Sequence, residues 1–191
     1  KSVSKSYVQS DKGIQIIEGI SYQFRITNKS FALLLISLGV PVGDKPLLDY
    51  GFPIWLRKSP KWIKKEFLRA FFGSELKKPS IDKRKGHTTP IKPSFAVDKL
   101  KDISVENFSN SFSEILKDFN IKINSIVPVK EYIRRNGVRS IQYVFSLSSS
   151  MESLLNLYGQ IGYANSSERD KLSFNFYEYL LTKKYLISKR I

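Results

Sequence analysis

The chain has 191 residues, and its 41% hydrophobic content is enough to build the core of a folded globular protein. Lys and Arg number 32 against 17 Asp and Glu, and the net charge of +15 favours a polyanionic partner, above all nucleic acid. The absence of cysteine excludes disulfides and thiolate metal sites. No apolar run approaches the roughly 20 residues that cross a bilayer, so we expect no membrane span. The start "KSVSKSYVQS" has no apolar region typical of a signal peptide, which together with the lack of cysteine predicts an intracellular protein.

The first part of the chain predicts a strand that leads into a helix. In "YQFRIT", which begins at Tyr22, apolar and polar residues alternate, as they do in a strand with one apolar and one polar face. The polar members include Gln23 and Arg25. The apolar run "SFALLLISLGV" that follows predicts a helix.

A second helix is predicted in "SPKWIKKEFLRAFFGSEL", with Ser59 as its N-cap and Pro60 in the first turn. Its apolar residues form one helical stripe, which consists of Ile63, Phe67, Ala70 and Phe71. The run ends on a single carboxylate, Glu75. An acid at this end of a helix is mildly unfavourable with the helix dipole, so Glu75 is either functional or a solvated surface residue.

The next segment, "KKPSIDKRKGHTTPIK", is polar and interrupted by Pro79, Gly86 and Pro90, which predicts an exposed loop. It contains His87, the only histidine of the chain. A single histidine argues against a His-based catalytic triad or zinc site, so we expect His87 to be a surface side chain. "KPSFAVDKL" then predicts a strand.

The C-terminal half predicts two helices around a β-hairpin. Apolar residues recur at helical intervals in two segments, "SVENFSNSFSEILKDF", which starts at Ser104, and "SERDKLSFNFYEYLLTKKYLI". Between them, "SIVPVKEYI" and "VRSIQYVFSLS" are rich in β-branched and aromatic residues. They flank Asn136-Gly137, a strong signal for a hairpin turn.

Two parts of the chain resemble each other. "YQFRITNKSFALLLISLGV" aligns with "YVFSLSSSMESLLNLYGQIGY" at a constant separation of 121 positions, which matches Leu33 with Leu154 and Leu34 with Leu155. Upstream, "SVSKSYVQSDKG" resembles "IVPVKEYIRRNG" once a short gap is allowed, so each copy is predicted to hold a hairpin and then a helix. We expect Leu34 and Leu155 to be buried at corresponding positions. The alternative is a chance similarity.

The repeat also predicts a duplicated protein whose first half is incomplete. The helix that ends at Glu75 precedes the second hairpin, and its counterpart 121 positions earlier would fall before Lys1. We therefore expect the chain to begin partway through a longer one. Residues 1–45 would be the C-terminal part of the first half, residues 46–59 a linker and residues 60–191 the second half.

"FLRAFFGSEL" resembles the signature helix of the LAGLIDADG homing endonucleases, which occur free-standing and inside inteins. "LGVPVGDK" and "PIWLRKSPKWIKKEFLRAFF" are similar to the linker and helix entry that precede the second signature helix, and "IGYANSSERDKLSFNFYEYL" resembles the closing segment of archaeal members. Together these stretches cover nearly the whole chain. The chain departs from the signature at Gly73, where an acid is usual, and at Leu76, where glycine is expected.

The resemblance implies an α+β fold of duplicated αββαββα halves, in which two signature helices pack together and antiparallel sheets form a saddle over the DNA major groove. It also implies metal-dependent hydrolysis of double-stranded DNA, with Glu75 as the catalytic and metal-binding acid and Mg²⁺ or another divalent cation as cofactor. Ala70 and Gly73 are implied as small residues at the helix interface. The second signature helix would come from a missing N-terminal segment or a second chain.

The polar faces of the predicted strands and the basic loops supply candidate DNA contacts, because Arg recognises guanine edges and Lys recognises phosphates. On the second hairpin, Ser140 and Ser146 share the polar side that would face the groove. The resemblance further implies Lys5 and Lys130 as basic groups near the cleft floor. For any one of these residues the alternative is a solvated surface charge. The DNA-binding candidates are Gln23, Arg25, Lys83, Arg84, Lys85, Arg134, Arg135, Arg139 and Gln142.

Two other interpretations stay open. One is a non-catalytic DNA-binding protein or an RNA-splicing maturase on the same fold, which the degenerate signature favours. The other is the endonuclease portion of an intein. The lack of cysteine and of a terminal His-Asn pair predicts that this chain carries no protein-splicing ends.

Overall fold

The computed structural model describes the backbone of residues 2–10, 13–21, 27–40, 42, 51–76, 81–82, 87–88, 91–98, 102–133, 137–164 and 167–189. Side chains are described for residues 27–40, 42, 51–76, 91–94, 105–133, 137–164 and 168–189. The chain forms two compact units, Lys1–Ser37 and Leu38–Ile191. No helix among these residues is both long and apolar enough to cross a membrane.

The first unit contains an antiparallel hairpin and a helix. Strand β1, Ser2–Ser10, pairs with β2, Gly13–Ser21, and the register places Lys5 opposite Glu18. The predicted first hairpin is confirmed. Most of the "YQFRIT" stretch lies outside the described residues.

Helix α1, Lys29–Ser37, follows the hairpin and confirms the predicted first helix. The Asn28 side chain caps it by accepting a hydrogen bond from the backbone N–H of Phe31 at 2.9 Å. A side-chain oxygen in this position satisfies a backbone donor that the helix itself leaves without a partner. None of the α1 residues is buried.

The second unit is α+β. The predicted helices, the second hairpin and the strand after the loop are confirmed. In chain order its elements are α2 Ile54–Arg57, α3 Lys61–Glu75, β3 Ile81–Asp82, β4 His87–Thr88, β5 Ser94–Asp98, α4 Asp102–Lys117, β6 Ile123–Ile133, β7 Arg139–Leu147, α5 Met151–Asn156, a π-helical turn Leu157–Ile161 and α6 Ser167–Ser188.

The main sheet of this unit has the strand order β5-β7-β6, and both pairings are antiparallel. Strand β7 is therefore central, with a neighbour on each side. The β6–β7 turn contains Gly137 at a φ of +80°, a backbone conformation that suits glycine. An irregularity in the register lies between Pro128 and Lys130.

The core lies between the sheet and helices α3 and α4. The Phe108 and Phe145 rings are 5.3 Å apart between centroids, which joins α4 to β7. Phe112 is fully buried and its ring lies 6.3 Å from that of Phe72, which joins α4 to α3. These aromatic contacts contribute roughly 0.5–1.5 kcal/mol per pair beyond the burial of their area.

Helix α3 differs in detail from its prediction. Pro60, not Ser59, occupies the N-cap position, and the Ser59 hydroxyl instead donates a hydrogen bond to the Leu56 carbonyl. The deeply buried positions of α3 are Leu68 and Phe72, whereas the predicted stripe lies beside them. Of that stripe, Ile63, Phe67 and Phe71 are half-buried, and Ala70 is exposed.

The segment predicted as a loop contains the short antiparallel pair β3–β4, with Asp82 opposite His87. The prediction of a loop without secondary structure was therefore wrong at these residues. Polar strand residues alternate too briefly here to give a recognisable period in the sequence.

The hairpin-then-helix order of the repeat recurs in both units. Strands β1 and β6 begin 121 positions apart, at Ser2 and Ile123. The expectation that Leu34 and Leu155 are equivalent core residues was wrong, because Leu34 is 52% exposed. Leu155 is half-buried against the core, and its neighbour Leu154 is the buried one.

Candidate nucleic-acid interface

Glu75 is the last residue of α3, and its side chain is exposed. The helix carries it to the edge of the second unit, while Phe72 anchors the preceding turn in the core. An exposed carboxylate on an anchored helix end can reach a bound cation or phosphate without first breaking a contact in the core. The position that the resemblance assigns to Glu75 is therefore accessible.

Leu76 explains how this helix ends without the glycine of the signature. Its backbone is extended, with φ −92° and ψ 145°, and its N–H still donates to the Phe72 carbonyl at 3.0 Å. The Leu76 side chain is 4% exposed and belongs to the core. Because the chain leaves the helix in an extended conformation, no left-handed residue is required here.

Arg169 of α6 caps the same end of α3. Its Nη1 donates hydrogen bonds to the carbonyl of Gly73 and to the carbonyl of Leu76, the latter at 3.3 Å. A cation at a helix C-terminus satisfies carbonyls that lack a helical partner and interacts favourably with the dipole. Sequence reasoning missed this residue, because 93 positions separate Arg169 from Leu76 and no local pattern connects them.

The two predicted helix-interface residues lie in different surroundings. Ala70 is exposed on α3, where a second helix could approach it. Gly73 is buried within the second unit, and its carbonyl is one of the two that Arg169 binds.

The carboxylates of this region do not form a ready metal cage. Among residues whose placement is described, no three or more of the types His, Cys, Asp and Glu are grouped closely enough to hold a metal ion. Glu75 therefore belongs to no such group of three among the described residues. Mg²⁺ is compatible with a single carboxylate, since it is commonly held by one or two carboxylates together with substrate phosphates and waters.

The β6–β7 hairpin presents the predicted contacts that can be located. Lys130 is exposed and lies opposite the half-buried Gln142 in the strand register. Arg139 is exposed at the start of β7, opposite Ile133. These three side chains place two positive charges and an amide on one hairpin.

The prediction that Ser140 lies on the polar side facing the DNA groove was wrong. Ser140 has no exposed surface, so it cannot contact a groove, and its hydroxyl has no hydrogen-bonding partner within the described part of the chain. The cause is its place on the central strand, where Tyr132 and Asp98 lie opposite it on the two neighbouring strands. Strand alternation predicts the side on which a residue lies and does not predict what covers it.

The remaining candidates fall outside what the structure describes. For Lys5 only the backbone is placed, in β1. The others outside the described residues are Gln23, Arg25, Lys83, Arg84, Lys85, Arg134 and Arg135.

Two buried tyrosines, Tyr158 and Tyr163, lie with their ring centroids 6.0 Å apart at the π-helical turn. Burial raises the pKa of Tyr158 to about 12 and also raises the pKa of Tyr163. The ring of Tyr158 lies 4.6 Å from that of Phe176 on α6. Both hydroxyls therefore remain protonated at neutral pH, and the pair fixes the π-helical turn against α6.

Comparisons with known proteins give matches to short segments of much longer chains. The chain is 40% identical over 181 residues to DNA-directed RNA polymerase subunit Rpo1N of Methanocaldococcus jannaschii, which covers 93% of this chain and 13% of that protein. It is 30% identical over 188 residues to tRNA-splicing ligase RtcB of Pyrococcus furiosus, which covers 97% of this chain and 18% of that protein.

A third relative is a protein of another kind. Replication factor C small subunit of Methanocaldococcus jannaschii is 29% identical over 167 residues, which covers 87% of this chain and 8% of that protein. The chain thus spans less than a fifth of the length of each of these three relatives. No protein-family model matches the chain, and no solved structure matches it.

Proposed function

We propose that this chain is part of a LAGLIDADG-type homing endonuclease of the intein-borne kind, which binds duplex DNA and hydrolyses it with a divalent cation. The observation that carries the proposal is the pattern of relatives. Nearly the whole chain matches a small part of an RNA polymerase subunit, of an RNA ligase and of a replication factor. No single host activity accounts for a segment common to all three, so the segment has its own function.

The order of elements supports the same proposal. Helix α3, the three strands β3 to β5, α4, the β6–β7 hairpin and α5 follow one another, which is the αββαββα order with one further strand before α4. Helix α3 ends on the exposed carboxylate of Glu75, as a signature helix does. The charge of +15 supports a nucleic-acid partner.

The apolar surface of α1 supports the proposal that this chain associates with a further polypeptide segment or a second copy. Phe31, Leu33, Leu34 and Ile36 are all between 39% and 55% exposed. Four large apolar side chains on one short helix favour association with more polypeptide. A second signature helix, from a longer chain or a second copy, would bring such a surface with it.

Glu75 would hold Mg²⁺ together with phosphate oxygens of the DNA. When bound, the ion supplies positive charge to the phosphate and lowers the pKa of water. The chain's own residues then have separate tasks. Lys130 and Arg139 bind and orient the duplex, and Arg169 fixes the helix end from which Glu75 extends.

Glu75→Gln tests the proposal directly. The change removes one charge and nearly preserves shape, so cleavage should collapse while duplex binding survives. A cognate site is first selected from a randomised duplex library by binding. Nicking and double-strand cleavage are then measured with Mg²⁺ in the chain extended by the preceding part of its reading frame, which would supply the second acid.

Glu66→Gln is the matched control, because Glu66 is another exposed acid of α3. It should cut like the unmodified protein. Equal cutting by the Glu75→Gln variant would remove Glu75 from the mechanism. Selective binding with no cutting by the unmodified protein would instead favour the non-catalytic DNA-binding or maturase alternative, which the departures from the signature at Gly73 and Leu76 support.

A further inference from the structure

Two adjoining depressions lie on the α3 side of the second unit, away from the strands discussed above. The first, named here the α3–α6 cleft, has a volume of about 550 Å³ and is lined by Lys65, Arg69, Gln160, Asp170, Lys171 and Ser173, among others. The second, named here the Trp62 groove, has a volume of about 510 Å³ and is lined by Lys61, Trp62, Lys65, Phe119 and Gln160. Lys65 and Gln160 belong to both, so the two form one continuous surface.

The α3–α6 cleft is electropositive. Lys65, Arg69 and Lys171 contribute three positive charges, and the one acid that lines it, Asp170, is bound to Arg69 at 3.0 Å. Ser173 also lines this cleft; it is 2% exposed, and its buried hydroxyl has no hydrogen-bonding partner among the residues that the structure describes. Asp170 offsets one of the three positive charges, and the net charge of +2 that is left on this lining attracts a phosphate.

The Trp62 groove offers a different chemistry. Trp62 is 67% exposed, although an indole of this size is normally covered. The Nζ of Lys61 lies 5.0 Å above the ring centroid of the buried Phe119, which holds that ammonium beside the groove. An exposed aromatic ring flanked by lysines is a surface on which a nucleic-acid base can stack while its phosphates meet the cations.

The spacing along α3 fits consecutive nucleotides. Trp62, Lys65 and Arg69 follow at intervals of three and four residues and therefore lie along one face of the helix. At 1.5 Å per residue they span about 10 Å of helix axis. That length corresponds to about three nucleotides at a stacked rise of about 3.4 Å.

We propose that the α3–α6 cleft and the Trp62 groove together bind a single-stranded segment of nucleic acid, with a base stacked on Trp62 and a phosphate held by Lys65, Arg69 and Lys171. This site is distinct from the duplex contacts proposed for the β6–β7 hairpin. It would hold an unpaired strand next to a helix that ends on Glu75. The inference does not depend on cleavage activity.

The test measures binding of a fluorescein-labelled oligothymidylate to the whole chain by fluorescence anisotropy. Loss of a stacking base weakens binding by about tenfold or more, so Trp62→Leu should raise the Kd by that factor. Trp55→Leu is the matched control and should leave the Kd unchanged, since Trp55 is also exposed and lines neither depression. Circular dichroism confirms that each variant is folded.

A second pair of variants tests the phosphate site. Lys65→Ala with Lys171→Ala should weaken oligothymidylate binding by about tenfold and reduce its salt dependence. Lys117→Ala with Lys122→Ala removes two exposed lysines that line neither depression and should change the Kd by no more than about twofold. Equal effects of the two pairs, or an unchanged Kd for Trp62→Leu, would overturn the proposal.

Competition experiments test whether this site prefers single-stranded nucleic acid over a duplex or free phosphate. Unlabelled single strand should displace the probe better than a duplex of equal length or inorganic phosphate at matched ionic strength. Equal displacement by the duplex or by phosphate would overturn the single-strand assignment. Lys130→Ala with Arg139→Ala should weaken duplex binding and leave oligothymidylate binding unchanged. A failure of the single-strand site can therefore be distinguished from a failure of the proposed duplex binding.

Discussion

At the scale of single residues, the end of α3 depends on two side chains that replace the usual glycine. Leu76 turns the chain into an extended conformation and buries its side chain, and Arg169 binds the carbonyls of Gly73 and Leu76. Both contacts hold the backbone on either side of Glu75. The backbone that carries this carboxylate is therefore held by a residue from another helix.

Arg169→Leu should lower the free energy of unfolding by about 1.5–3 kcal/mol, which is the usual worth of hydrogen bonds that involve a charged group. Urea denaturation followed by circular dichroism measures this change. Arg69→Leu is the comparison, because its ion pair with Asp170 is largely exposed and should contribute less than about 1 kcal/mol. Equal losses of unfolding free energy in the two variants would show that the Arg169 cap contributes no more than an ordinary surface ion pair.

At the scale of elements, α1 and α5 have matching positions in the repeat and different surroundings. Leu154 on α5 is 3% exposed, whereas its sequence counterpart Leu33 on α1 is 55% exposed. Similar apolar patterns thus produced one helix packed into a core and one helix with an open surface. A hydrophobic pattern specifies a face and leaves open what covers that face.

Leu154→Ala should therefore cost about 2–5 kcal/mol of unfolding free energy as a core truncation. Leu34→Ala should cost within about 0.5 kcal/mol, as exposed substitutions usually do. Thermal and urea denaturation of both variants checks the difference. A large loss at Leu34 in the chain alone would mean that α1 is covered in solution by another copy, and a dependence of that loss on protein concentration would identify this case.

At the scale of the whole molecule, the excess positive charge should dominate duplex binding. If about six phosphates are neutralised, the logarithm of the association constant should fall with the logarithm of salt concentration at a slope of roughly −5. Binding to a duplex measured across a series of NaCl concentrations gives this slope. A flat response would contradict nucleic-acid binding and favour an ordinary basic protein.

The sequence by itself determined the α+β class, the main helices, the second hairpin and the position of Glu75 at a helix end. These features depend on local signals, namely hydrophobic period, turn residues and helix boundaries. Its charge and residue pattern also pointed to nucleic acid, and its resemblance to one family supplied the proposed chemistry. Residues close together along the chain are sufficient for each of these inferences.

Only the tertiary structure decided which residues meet. It brought Arg169 to the end of α3, covered Ser140 on a central strand and left Leu34 exposed. It also joined Lys65 and Lys171, which lie on different helices, in one electropositive cleft. The physical reason is that burial and charge clustering depend on contacts between distant segments, and a local pattern contains no information about which segment will supply them.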